Sequence, residues 1–222
     1  MRLLLTSAGL VNAGSCAAVE ALARRPLSSL TVAVVPTAAN VIGGDKGWLI
    51  ADLVNFQRAG FAQVDIVDVS ALDREVWAAR LHEAHVLAVT GGDTTHLLRW
   101  VRRSGLDRAL GELLLERVYV GISAGSMVTG PHLRLSRSVQ RVPEDTEGLG
   151  LVDFLVQPHL DSPHFPSASE RAVREAAAHF AEDTFALADG RAVSVDDGAV
   201  RVVGEGRHVV VPGGAGRPVH DG

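Results

Sequence analysis

Short apolar runs alternate with longer amphipathic stretches along the first 122 residues of the chain. Most of the runs are aliphatic throughout, which is the pattern of strands buried on both faces of a sheet. The stretches between them repeat apolar positions every three or four residues, which predicts helices. Strands are predicted at residues 3–6, 30–36, 64–69, 85–89 and 117–121, and helices at 14–25, 45–58, 74–82, 95–103 and 106–115. This alternation predicts an α/β fold with a mostly parallel sheet and helices on both faces.

The pattern changes after residue 130. Residues 131–150 carry scattered charges and two prolines, which predicts a long surface excursion near the site. The sequence does not decide whether this excursion closes over the site as a lid. A strand is predicted at 154–157, a helix at 169–181, and a small antiparallel β appendage from short runs at 185–188, 192–195, 199–203 and 207–211. We expect one domain over residues 1–211 and a flexible Gly/Pro-rich tail over residues 212–222.

Composition narrows the class of protein. With 47% hydrophobic and 21% charged residues, the 222-residue chain is typical of a globular protein with a sizeable core. The net charge of −5 and the lack of a basic stripe argue against a nucleic-acid partner. Cys16 is the only cysteine, so neither a disulfide framework nor a Cys/His metal site is expected. No run resembles a signal peptide or a spanning helix, so we expect a cytoplasmic protein that does not contact membranes.

Residues 121–125 (GISAG) stand between a predicted strand and a short helix. A G-x-S-x-G run in this setting is typical of a nucleophile elbow, because glycines allow the sharp turn that exposes the serine hydroxyl. This interpretation makes Ser123 the candidate nucleophile. The alternative is a glycine-rich turn with a structural serine.

A serine nucleophile needs a histidine as its base and an acid that orients the histidine. Among the nine histidines, His159 ends an apolar strand in a QPH run, and strand ends are where sites collect. His164, five residues further on, is the second candidate. The acid is predicted to be Asp189, which ends the strand at 185–188, and Asp161 is the alternative.

The same edge of the sheet offers donors for an oxyanion hole. One is the backbone N–H of Ala124, directly after the nucleophile. Another is the Gly91-Gly92 turn, because glycine lets a backbone N–H approach a ligand closely. The turn could instead hold a phosphate, but neither the dinucleotide-binding nor the P-loop glycine pattern is present.

Four segments together resemble the peptidase E (α-aspartyl dipeptidase) family, whose wider group includes the cyanophycinases. They are residues 35–40 (VPTAAN), 89–97 (VTGGDTTHL), 121–126 (GISAGS) and 157–159 (QPH), and their order and spacing match over about residues 3–196. The resemblance implies a fold like that of class I glutamine amidotransferases, which is flavodoxin-like, with a serine at the elbow in place of their cysteine. It also implies a serine peptidase that acts on short peptides through an acyl-enzyme and prefers an N-terminal aspartate.

Carried over to this chain, the resemblance makes Ser123 the nucleophile and His159 the base. Asp189 stands where the family has a glutamate, so the acid is one methylene shorter. Gly91 or Gly92 with Ala124 forms the oxyanion hole. Substrate binding falls to Asp93, Thr94 and Arg171, the last as a partner for the carboxylate of an N-terminal aspartate.

The order serine, histidine, acid differs from that of the α/β-hydrolases, which would need a late histidine such as His208. Two rivals remain: a hydrolase of other amides or esters on the same fold, and a non-catalytic binding module that retains the elbow. We expect a small peptide as the substrate and neither a metal nor an organic cofactor. A homodimer is one option that the sequence leaves open.

Overall fold

The structure, a computed structural model, describes residues 1–136 and 146–214. Its strands are β1 Arg2–Thr6, β2 Thr31–Val35, β3 Gln63–Ile66, β4 Val86–Val89, β5 Val118–Ile122, β6 Leu155–Gln157, β7 Thr184–Leu187, β8 Arg191–Asp196, β9 Ala199–Gly204 and β10 His208–Val211. Seven of them form one sheet in the order β3-β2-β4-β5-β1-β8-β9. The pairs among β1 to β5 are parallel, while β8 and β9 add two antiparallel strands. The mixed α/β class with a mostly parallel sheet is thus confirmed.

Helices cover both faces of this sheet. They are α1 Ala13–Ala23, α2 Thr37–Asn40, α3 Gly47–Ala59, α4 Arg74–Glu83, α5 Thr94–Ser104, α6 Leu106–Glu116, α7 Ala124–Met127 and α8 Glu170–Ala177. Residues of α1 and α3 share one core cluster with one face of the sheet, and residues of α4 to α7 share another with the opposite face. No helix in the described part of the chain is long and apolar enough to cross a membrane.

The aliphatic strands explain why the sheet is buried on both sides. In β1, Leu3 and Leu5 belong to one core cluster and Leu4 belongs to the other. In the neighbouring β5, Tyr119 faces the first cluster and Val120 the second. Successive side chains of a strand point to opposite faces, so an unbroken apolar run fills both cores. These two central strands therefore fix the position of the turn at residues 121–125, at the carboxyl end of β5.

The C-terminal strands do not form the single antiparallel appendage that was predicted. β8 pairs with β1 and joins the main sheet, and β9 forms its edge. β7 instead lies between β6, to which it is parallel, and β10, to which it is antiparallel, in a second sheet of three strands. Burial explains the division: Ala192 and Val193 of β8 enter the two opposite cores of the main sheet, whereas Ala186 of β7 enters a third cluster under α8.

Most predicted boundaries fall within two residues of those observed, and the largest difference is at α8. This helix was predicted to run to residue 181 but ends at Ala177. The chain turns there and buries Phe180 in the third core cluster. The predicted excursion over residues 131–150 begins and ends with an antiparallel bridge between His132 and Glu147, and its residues 137–145 lie outside the described part. Residues 215–222 of the predicted tail also lie outside it.

Candidate active site

Ser123 lies on a strained turn at the carboxyl end of β5. Its φ and ψ of 50° and −107° fall in a region that residues other than glycine rarely adopt. The Ser123 N–H donates to the carbonyl of Thr6 at 3.1 Å, and the buried Tyr119 hydroxyl donates to the carbonyl of Gly125 at 2.7 Å. A Cβ at Gly125 would lie 2.1 Å from the Val89 carbonyl oxygen, so only glycine fits there. The turn is therefore held by both neighbouring strands.

The second sheet brings a histidine and an aspartate to this turn. His159 and Asp189 follow β6 and β7, whose parallel pairing places their carboxyl ends at one edge. His159 Nε2 lies 3.0 Å from Ser123 Oγ, and His159 Nδ1 lies 2.7 Å from Asp189 Oδ1. These distances are those of hydrogen bonds. The structure thus joins in one chain of contacts the three residues that the sequence suggested as nucleophile, base and acid.

The protonation of this cluster follows from its electrostatics. The hydrogen bond from His159 is the main influence that holds the pKa of Asp189 below its usual value, and burial acts against it. An ionised carboxylate only accepts hydrogen bonds, so the His159 Nδ1 must carry the proton that it donates. The Nε2 of a neutral imidazole is then left as an acceptor for the Ser123 hydroxyl. The arrangement can move a proton from serine to histidine.

Ser7, which the sequence reasoning missed, ties the cluster together. It directly follows β1, and its hydroxyl donates to Asp189 Oδ1 at 3.0 Å. The same hydroxyl accepts the backbone N–H of His159 at 2.8 Å, where the histidine has a φ of 62°. The ring of Phe165 stacks on the imidazole of His159, with centroids 4.2 Å apart. The position of Ser7 at a strand's carboxyl end was an available signal.

The predicted oxyanion donors also border Ser123. A Cβ built on Gly91 would come within 3.2 Å of the Ser123 Cβ, so the glycine turn after β4 lies directly against the elbow. Gly92 has a φ of 139° and packs so closely on α2 that a side chain would clash with the Ala38 carbonyl. In residues 1–136 and 146–214, the backbone N–H groups of Gly91, Gly92 and Ala124 have no hydrogen-bond partner.

Two cavities open beside Ser123. The first, which we name the Thr94 cavity, has a volume of about 330 Å³ and is lined by Asp93, Thr94 and Gln157 among others. Asp93 caps α5 by accepting the His96 N–H at 2.7 Å. The second, the Asp52 cavity, has a volume of about 300 Å³ and is lined by Asp52, Trp48, Ile122 and Gly91 among others. Gly92, Ser123, His159 and Phe165 border both cavities.

Three sequence candidates do not lie in this cluster. Arg171 is 87% exposed on α8, pairs with Glu175 at 2.8 Å, and lines neither cavity. Asp161, the alternative acid, accepts the Glu170 N–H at 2.9 Å and pairs with Arg207. His208, the late histidine required by the α/β-hydrolase alternative, lies on β10 in the second sheet, whereas His159 contacts Ser123.

Asp52 is the second residue that the sequence reasoning missed. It lies on α3, four residues after Trp48 and four before the buried Phe56. Residues four apart share one face of a helix, so a carboxylate here interrupts an apolar stripe. Such an interruption beside a predicted site is the signal that could have identified it.

Comparison with known sequences gives three findings. The family model described as "Peptidase family S51" matches residues 3–203. A Listeria innocua protein named Uncharacterized peptidase Lin0382 is 30% identical over 156 residues, which cover 67% of this chain and 73% of that protein. Streptomyces coelicolor peptidase E is 37% identical over 99 residues, or 44% of this chain and 41% of that one.

A solved structure agrees with these sequence matches. A crystal structure of a candidate peptidase E protein from Listeria monocytogenes EGD-e superposes with a TM-score of 0.74. The superposition covers 92% of this chain and 98% of that one, at 23% sequence identity. At this identity the similarity concerns the fold, including the mostly parallel sheet between helices.

Proposed function

The chain belongs to peptidase family S51 and is a serine-type peptidase, and we propose that it hydrolyses short peptides with Ser123 as nucleophile, His159 as base and Asp189 as acid. The observation that supports these roles most strongly is the unbroken series of contacts from Asp189 through His159 to Ser123. The strained φ of Ser123 adds to it, because strain of this kind is typical of functional turns.

The proposed reaction begins with attack of Ser123 Oγ on the peptide carbonyl while His159 Nε2 takes the hydroxyl proton. Asp189 stabilises the imidazolium that forms. The negative charge on the former carbonyl oxygen is bound by the N–H of Ala124 together with that of Gly91 or Gly92. His159 then protonates the leaving amine, and the peptide bond breaks to leave an acyl-enzyme. A water molecule, activated by the same histidine, hydrolyses it and releases Ser123. No metal or organic cofactor takes part in this scheme.

The acid in this scheme is an aspartate where the resembled family has a glutamate. The 2.7 Å contact between Asp189 and His159 supports the shorter side chain in that role. Ser7 holds both partners in place, since its hydroxyl contacts the Asp189 carboxylate and the His159 backbone.

A preference for an N-terminal aspartate is the finer part of the proposal, and its support is the likeness to peptidase E alone. Arg171, the residue that the resemblance assigned to aspartate recognition, is exposed and paired with Glu175. Thr94, which is 4% exposed and lines the Thr94 cavity, is the better placed of the assigned binding residues. A panel of X-Leu dipeptides, with X as aspartate, asparagine, alanine or lysine, measures this preference.

The experiment that tests the proposed roles is hydrolysis by Ser123→Ala. We expect kcat on the best dipeptide of the panel to fall by at least about 10³-fold, as for other triad nucleophiles. Ser28→Ala, at an exposed serine, is the matched control and should keep wild-type activity. Full hydrolysis by Ser123→Ala would contradict the roles. Esters and non-peptide amides in the same panel test the rival hydrolase.

A further inference from the structure

The Asp52 cavity places one carboxylate opposite the candidate nucleophile. Asp52 extends from α3 into a cavity that Ser123 and His159 also line, and Trp48, Ile122 and Phe165 make much of the remaining wall apolar. A Cβ built on Gly9 would come within 3.2 Å of both the Asp52 Oδ1 and the Ile122 side chain, which fixes the carboxylate near the residue that precedes Ser123.

This carboxylate has no partner among residues 1–136 and 146–214. Within the described residues, Asp52 makes neither a hydrogen bond nor an ion pair, although it is partly buried. Burial raises the pKa of Asp52 to about 7, and no charged neighbour contributes. Lys46, six residues earlier in the chain, is engaged elsewhere, because its Nζ donates to the carbonyls of Ala39 and Ile42. A buried charge without a partner is unfavourable, so its presence beside a reactive centre points to a ligand.

We propose that Asp52 is a specificity residue that binds an ammonium group on the substrate residue whose carbonyl Ser123 attacks. The inference rests on the proposed function for the position of that carbonyl. An ammonium group satisfies the carboxylate by a charge-assisted hydrogen bond. The apolar side chains of Trp48, Ile122 and Phe165 lower the polarity of the surroundings and so strengthen the attraction.

The α-ammonium of a free N-terminus and the side-chain ammonium of a lysine share this chemistry. A cavity of about 300 Å³ suits one amino-acid residue, and a cation bound in it would orient the carbonyl towards the elbow. A carboxylate side chain would be repelled from the same cavity. An N-terminal aspartate would therefore place its ammonium, and not its side chain, at Asp52.

The kinetic test compares p-nitroanilides that differ only in their cation. The series uses the residue X that the wild type hydrolyses fastest, as X-p-nitroanilide and its N-acetyl form, together with N-acetyl-lysine p-nitroanilide. For Asp52→Asn at pH 7.5, we expect kcat/KM on the free-amine substrate to fall about 10- to 100-fold, the usual effect of a hydrogen bond to a charged group. The N-acetyl form should change less than about twofold, because it offers no charge to Asp52.

The lysine substrate tells the two sources of the ammonium apart. A selective loss on N-acetyl-lysine p-nitroanilide assigns the site to a side chain, and a selective loss on the free amine assigns it to the N-terminus. Equal losses on charged and uncharged substrates, or no loss at all, would overturn the inference. Asp45→Asn is the matched control, because it removes an exposed carboxylate at the start of α3 and should not alter these ratios.

A binding experiment separates this inference from the proposed function. Isothermal titration of Ser123→Ala with alanine amide, against N-acetylalanine amide, needs no catalysis. We expect the cationic amide to bind at least tenfold more tightly and the difference to vanish in Ser123→Ala/Asp52→Asn. If the protein hydrolyses no substrate yet shows this difference, ammonium binding by Asp52 stands, while the proposed function and the position of the carbonyl fail. A second outcome is that the protein hydrolyses peptides while Asp52→Asn leaves two quantities unchanged: the ratio of kcat/KM on charged and N-acetylated substrates, and the ratio of the affinities for the two amides. In that case only the inference fails.

Discussion

Asp189 and Asp52 are two carboxylates at the same candidate site, the first in contact with His159 and the second in a cavity that His159 also lines. Asp189 contacts His159 and Ser7, and the hydrogen bond from His159 holds its pKa below the usual value. Asp52 has no partner within the described residues, and burial raises its pKa to about 7. The environment therefore shifts the pKa values of two chemically identical side chains in opposite directions.

The difference teaches how to assign their roles. A carboxylate whose oxygens are used by the protein orients other protein groups, and here that group is the imidazole of His159. A carboxylate whose oxygens are unused is available to a molecule from outside. Separate pKa shifts within one site are a known guide to separate roles. The contrast thus predicts that substitutions at the two positions fail in different ways.

The largest effect is expected for Asp189→Asn. An amide cannot stabilise the imidazolium and favours the wrong histidine tautomer, so kcat should fall about 10²- to 10⁴-fold on every substrate. Steady-state kinetics on charged and N-acetylated substrates measures it. Asp52→Asn serves as the comparison, because its effect should be confined to charged substrates. Equal selectivity in the two variants would break the distinction between the carboxylates.

A second effect concerns stability and its dependence on pH. Asp52 has a raised pKa in the folded protein, so the folded state holds an extra proton between about pH 4 and pH 7, and stability is lost as the pH rises through that range. Asp52→Asn should therefore unfold with a higher free energy than the wild type at pH 8.5, by up to about 4 kcal/mol, and the gain should shrink at pH 4.5. Urea unfolding at both pH values measures this change.

Asp189→Asn should show the opposite sign in the same urea experiment. Its lowered pKa stabilises the folded state above the carboxyl's ordinary pKa, and this contribution is lost as the pH falls through the folded pKa. Asp189→Asn should consequently be less stable than the wild type at pH 8.5. A stabilising Asp189→Asn, or an Asp52→Asn that destabilises at pH 8.5, would contradict the contrast.

A smaller effect is expected for Ser7→Ala. The substitution removes one hydrogen bond to the Asp189 carboxylate and one from the His159 backbone. Each is worth about 1 kcal/mol, so kcat should fall by up to about 30-fold while KM stays nearly constant. Ser7→Thr keeps the hydroxyl and should restore part of the activity. A variant that changes KM alone would place Ser7 in binding instead of positioning.

The smallest effect is expected for Arg171→Ala. The exposed pair with Glu175 contributes about 0.5 kcal/mol or less to stability, and kcat/KM should change less than twofold on all dipeptides. The dipeptide panel with aspartate and alanine substrates measures it. A loss confined to aspartate substrates would bring Arg171 back into substrate recognition.

The strands and the candidate catalytic residues follow from the sequence for one physical reason. Aliphatic runs specify buried parallel strands, and the loops at the carboxyl ends of these strands converge. Ser123, His159 and Gly91 could therefore be placed at one site from the sequence alone. The sequence could offer Asp189 as the acid but could not decide between Asp189 and Asp161. Only the parallel pairing of β6 and β7 brings Asp189 to His159. Local pattern does not encode that pairing.

Asp52 and Ser7 were missed because their importance depends on which other residues the fold brings beside them. A carboxylate on a helix stripe becomes notable only when the fold places it in a cavity with Ser123. The division of the C-terminal strands has the same cause, because four short runs are alike in sequence and differ in which core they enter. Arg171 shows the converse: the resemblance assigned it to substrate binding, and the fold leaves its side chain exposed and paired with Glu175.

The most direct test of the central claim is covalent labelling of the wild-type protein by a fluorophosphonate, followed by peptide mapping. The serine hydroxyl would displace fluoride and form one phosphonyl adduct per chain. The account predicts that the adduct lies on Ser123, that it forms at a rate reduced by Asp189→Asn, and that Asp52→Asn leaves the rate unchanged, since the probe carries no ammonium. An adduct on another serine, or none on Ser123, would contradict the claim that this hydroxyl is the nucleophile.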